Sequence, residues 1–89
     1  KPEWWNDEEL KALSARVVTA RPNDLAAHHM RAMVLCGMHA PSEAGPRSAA
    51  ELMEAAVHLE QCASMGSAPA QNAMFADHAE FLRSKAATM

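Results

Sequence analysis

Helix punctuation constrains this chain more tightly than its composition does. Asn6 followed three residues later by Glu9 reads as a capping box, and Trp5 with Leu10 fits the hydrophobic staple that accompanies one. Pro22 has no N–H and disfavours helical backbone at the residue before it, so the first helix ends near Ala20 or Arg21. Asn23 or Asp24 then opens a second helix almost at once, and Gly37 stops it. Ser48 with Glu51 is a second capping box, Gly66 closes that helix, and Pro69 is tolerated in the first turn of the last one. The spacing predicts helices over 7–21, 24–37, 48–65 and 69–86. The links at Pro22 and Gly66 are so short that each folds its two helices back as an antiparallel hairpin. Residues 38–47 hold Pro41, Ser42, Gly45 and Pro46, show no period, and form a long connection for two helices.

The apolar residues recur at helical spacing within those limits. They run through Leu10, Leu13, Val17 and Ala20 in the first helix, then Ala26, Met30, Met33 and Val34 in the second, flanked by Leu25, Ala32 and Cys36. The third carries Leu52, Ala55, Ala56, Leu59, Cys62 and Ala63, and the fourth Met74, Phe75, His78, Phe81 and Leu82. The methionines at 30, 33, 53, 65 and 74 are assigned to the core, and Met38 and Met89 to the surface. Large apolar residues are scarce: two Trp, two Phe, no Tyr and no Ile, while alanine is abundant. Alanine lets helices approach closely and is the best helix former, and the shortage of β-branched residues leaves little to build strands. The expectation is one all-α domain over 1–89, with four antiparallel helices as two hairpins in an open solenoid-like array. A closed four-helix bundle is the alternative. In either, Leu10, Val17, Met33, Leu52, Leu59 and Phe81 should face one another.

Several functions are disfavoured by what is missing. The net charge of −3 comes with no basic run, so the counterion-releasing stripe of a nucleic-acid binder is not present. No apolar stretch approaches the roughly 20 residues that span a bilayer. Two cysteines are too few for a disulfide framework, and free thiols point to an intracellular setting. A start on Lys1 suggests a piece of a longer chain.

Candidate chemistry is sparse. His58 and Cys62 lie four apart on one helix face and could supply two zinc ligands, with His28, His29, Cys36 or His78 completing the set only if the fold gathers them. No C-x-x-C or H-E-x-x-H spacing exists, and a surface histidine beside a half-buried cysteine accounts for the pair. A nucleophilic Cys62 activated by His58 would sit mid-helix on an alanine-rich packing face, a poor setting for a reactive thiolate. Glu8, Glu9, Glu51 and Glu54 fall in first turns of helices, where they complement the helix dipole. The reading is therefore not an enzyme, with no metal and no cofactor.

Leu10 to Gly37 resembles the tetratricopeptide repeat. Pro22 stands where a terminating proline ends the second helix of a unit. Counting a 34-residue unit from Asn23 puts Gly37 at the usual glycine between helices and Ala26, Met30 and Met33 on inward positions. Ser48 to Ala63 then forms the second helix, and Pro69 an approximate terminator. His29 departs from the usual Leu, Met30 from a small residue, and the segment 38–47 is several residues too long. The resemblance implies a scaffold that binds peptides or neighbouring proteins on a concave helical face and carries no catalytic residues. Trp4, Trp5, His29 and Met33 are the expected partner contacts. A structural subunit of a large assembly, with no ligand of its own, is the alternative function; a metal- or thiol-dependent enzyme comes third.

Overall fold

The computed structural model describes residues 7–37 and 47–89. They form four helices: α1 (Asp7–Ala20), α2 (Leu25–Cys36), α3 (Ala49–Met65) and α4 (Pro69–Ala87). Every boundary falls within a residue or so of the position the punctuation predicts. The chain is all-α, with no strand among the described residues. The expected box at Asn6, the Trp5–Leu10 staple and the connection over 38–46 lie outside the described residues.

Each helix end has a local cause. Asp24 is extended and its carboxylate accepts the Ala26 N–H at 3.0 Å, so α2 starts on a side-chain cap. Gly37 ends α2 at a φ of 80°, a conformation costly for residues with a Cβ, and its N–H reaches the Met33 and Val34 carbonyls. Arg47 adds a second cap from a distance, donating to the Val34 carbonyl at 3.0 Å. At α3 both halves of the Ser48–Glu51 box form, at 3.1 and 2.9 Å. Gly66 ends α3 for a reason different from the one its identity suggests. Its φ of −71° is open to any residue. A Cβ there would meet Asn72, whose Nδ2 donates to the Gly66 carbonyl at 2.9 Å and whose Oδ1 would lie 2.1 Å away, so a larger residue would have to displace that side chain.

The helices pack in series, α1 on α2, α2 on α3 and α3 on α4, most extensively at the last seam and least at the first. The molecule measures 38 × 33 × 19 Å, and its thinnest dimension is about two helix diameters. One buried cluster holds it together. It takes Ala32 and Leu35 from α2, Leu52, Ala55, Ala56, Leu59 and Cys62 from α3, and Phe75, Ala79, Leu82 and Ala86 from α4. The α3 stripe is the one the periodicity predicts.

Elsewhere the core differs from expectation. Met74 and Phe81 are 70% and 61% exposed, and Met53 is exposed as well, so none of the three belongs to the core. On α4 the stripe that turns inward is Phe75, Ala79, Leu82 and Ala86, offset by one position from Met74, His78 and Phe81. Both stripes satisfy helical spacing; the small side chains at 79 and 86 decide between them, because they let α4 approach α3 closely. Ala26 and Ala20 are exposed, and Leu13 is 40% exposed. The residue α1 buries completely is Ser14, a polar one, and α2 buries Ala27 and His28. Cys62 is fully buried rather than half-buried.

Candidate functional site

An apolar hollow lies between α2 and α4, two helices that are not consecutive. It is an open cleft of about 530 Å3 lined by His29 and Met33 from α2 and by Gln71, Met74, Phe75 and His78 from α4. Both helices lean on α3, and the cleft is the trough left between them. The His29 ring meets Phe75 edge-on with centroids 5.4 Å apart, which closes the floor. Phe75 is buried, Met33 and His78 are half-buried, and Met74 stands free at the rim. Phe81 extends the same α4 face beyond the cleft, its ring 6.5 Å from that of His78. Burial, together with the charge of His29, pushes the His78 imidazole down from its ordinary value.

Of the four residues expected to meet a partner, the fold brings His29 and Met33 into one cleft. Trp4 and Trp5 lie outside the described residues. Met74, Phe75 and His78 complete the cleft and were assigned to the core from sequence. The signal that separates them is the one-position offset between the two α4 stripes, which leaves one large apolar row without a seam to fill.

A second hollow, of about 400 Å3, runs along α1 and is lined by Glu9, Leu10, Ala12, Leu13 and Arg16. Leu13, 40% exposed, is one of its lining residues.

A polar network crosses the other side of α2. Arg31 donates from Nη1 to the Lys11 carbonyl at 2.6 Å and to Ser14 Oγ at 3.0 Å. Its Nε and Nη2 donate to Glu54 Oε2 at 3.2 and 3.1 Å. Glu54 Oε2 also lies 3.3 Å from His58 Nε2. His58 Nδ1 meets His28 Nδ1 at 2.8 Å, and His28 Nε2 donates to the Pro22 carbonyl at 2.7 Å. Three helices and the first turn are thus joined through one chain of side chains. Beside it, Lys11 and Glu51 pair at 2.5 Å. The bond to Lys11, with help from the Ser48 N–H, holds the Glu51 carboxyl below its ordinary value, and the same bond raises Lys11.

The His58–Cys62 pair is not brought together for chemistry. The His58 ring is engaged by His28 and Glu54, while Cys62 Sγ turns to the Leu25 carbonyl at 3.6 Å. Burial pushes the Cys62 thiol up, away from the thiolate. Among the described residues no three His, Cys, Asp or Glu side chains are gathered as metal ligands. None of their helices is long and apolar enough to cross a membrane. Compared with known proteins, the chain matches no family model, no curated protein and no solved structure.

Proposed function

We propose that this chain is a protein-interaction module of helical-repeat type, and that the α2–α4 cleft is its contact face. The observation that carries the reading is the gathering of Met33, Met74, Phe75 and the His29 and His78 rings in one open trough. Methionine and aromatic side chains in a concave site bury apolar area against varied partners. Serial packing of the helices supports kinship with tetratricopeptide-like repeats, because α2 and α4 then stand as first helices of successive units with α3 between them. Trp4 and Trp5 belong to the proposal as further contacts. Free thiols at Cys36 and Cys62 support an intracellular setting.

A panel of displayed peptides, selected against the isolated domain and mapped by amide chemical shifts, tests the assignment. Shifts should concentrate at the six cleft residues, and Met74→Ser should abolish binding with helicity unchanged, since that side chain is mostly exposed. Binders that map to another face would refute it.

Met53 and Val57 favour a second reading, a structural subunit of a larger assembly. Both are exposed on α3, one turn apart, and neither lines the cleft. Light scattering separates the two: a stable monomer fits the module, and self-association that Met53→Ser and Val57→Ser suppress fits the subunit.

A further inference from the structure

The His28–His58 contact can be read by counting protons. The Pro22 carbonyl only accepts, so His28 Nε2 must carry a proton to bond it at 2.7 Å. The 2.8 Å approach of the two Nδ1 atoms needs one proton between them. The Glu54 carboxylate also only accepts, so His58 Nε2 needs a proton to bond it. Three protons on two rings make a singly charged pair, and that state satisfies every contact. With two protons the rings are neutral and the 3.3 Å link to Glu54, the longest of the three, loses its proton. With four, two N–H groups point at each other across 2.8 Å, and two imidazolium rings lie with centroids 5.1 Å apart.

We propose that His28 and His58 form a proton-operated clasp between α2 and α3, closed while the pair holds two or three protons and opened by the fourth. The charged groups around it fix the direction. From α2, the Arg31 guanidinium bonds the same Glu54 oxygen that faces His58 and so adds positive charge. From α3, Glu54 supplies the negative charge, but it is half-exposed and shared with Arg31. From α1, Ser14 and the Lys11 carbonyl reach the clasp through Arg31 and bring no acid. Asp24, one turn before His28, is turned to the Ala26 N–H and to Arg21. Among the described residues one carboxylate therefore faces the two rings, so a second imidazolium gains no further counterion there.

The pH dependence follows. Burial, reinforced by the charges of His28 and Arg31, holds His58 below its ordinary value despite Glu54. A base held down in the folded state contributes stability that is present above its unfolded pKa and lost as the pH falls below it. The loss should begin near the ordinary histidine range, about pH 6.5, and deepen toward pH 5.

The test is the urea midpoint from pH 8 to pH 5, in a His78→Gln background because His78 is also held down and would add its own slope. The folding constant should fall by up to about tenfold per pH unit for each proton taken up, and His58→Asn should flatten the fall. A slope unchanged by His58→Asn overturns the clasp. Should that variant not fold, ring-nitrogen resonances of the unmutated protein decide. His28 should hold its Nε2 proton against the Pro22 carbonyl throughout, and the His58 ring should titrate below its ordinary value. A His58 ring that titrates at its ordinary value would overturn it.

Discussion

Replacing Arg31 with Met should release α1 while leaving the other three helices folded. The core cluster takes residues from α2, α3 and α4 and none from α1. The residue α1 buries completely is Ser14, while Leu13 faces the hollow on the outer side. The first seam is therefore held to a large degree by polar ties, and Arg31 makes two of them, to the Lys11 carbonyl and Ser14 Oγ. Its side chain is 13% exposed, so these bonds are largely shielded from water. Hydrogen bonds from a charged donor are worth about 1.5–3 kcal/mol each, and the two share one nitrogen, so their joint loss is taken as about 2–3 kcal/mol. The half-exposed pair with Glu54 joins α2 to α3 and does not enter the opening of α1. Methionine keeps the apolar stem, which isolates the loss of the guanidinium. A local loss of about 3 kcal/mol is roughly a hundredfold in the opening equilibrium. Amide exchange resolved by residue measures it. The α1 amides should exchange roughly a hundredfold faster in Arg31→Met, and the α3 amides should change far less. Arg83→Met, which removes an ion pair with Glu60 on the surface, should leave α1 unaffected and serves as the control. If α1 keeps its protection in Arg31→Met, apolar contacts hold the first seam and the reasoning fails.

Leu59→Ala should cost about 2–5 kcal/mol, because Leu59 is fully buried at the middle of the α3 stripe and its truncation leaves a cavity there; a urea midpoint shift below the low end of that range would mean a looser core. Glu51→Gln should flatten the acid limb of stability. Its carboxyl is held down by Lys11 and by the Ser48 N–H, so its contribution is present above the ordinary carboxylate value and disappears as the pH falls through the folded one. Urea midpoints measured between pH 5 and pH 3 should fall less steeply in the variant, and parallel limbs would refute the pairing.

The helix limits were legible because they rest on local chemistry. Ser48 and Glu51 satisfy each other's backbone, Gly37 takes the left-handed turn, and Pro22 and Pro69 stand where a missing N–H is harmless. The burial of α3 was legible too, since that helix packs on both neighbours and offers one unbroken stripe. The cleft was not. His29 and Met33 could be placed on one face of α2, but their partners on α4 depend on which of two overlapping stripes turns inward. Nor could spacing show that Ser14 and His28 are buried, because a polar residue is carried inside by its partner. Arg31 lies 17 positions from Ser14 and His58 lies 30 from His28.

The alanines connect these facts. Where α3 and α4 meet, Ala55, Ala56, Ala79 and Ala86 alternate with Leu52, Leu59, Phe75 and Leu82, and the small residues let the backbones come close and leave room for one large row per helix. Met74, Phe81 and Met53 are displaced to the flanks of the seams that alanine makes tight. On α4 an alanine-containing row goes inside while Met74 and Phe81 stay out, a departure from the usual assignment, in which the bulkier apolar residue of a helix goes inside. The displaced row on α4 supplies Met74 and His78 to the cleft wall, and Phe75 on the inward row supplies its floor against His29. Stability and the shape of the cleft thus follow from one compositional choice. Enlarging Ala79 would force α4 off α3 and move that wall, which is why the cleft cannot be altered independently of the core beneath it.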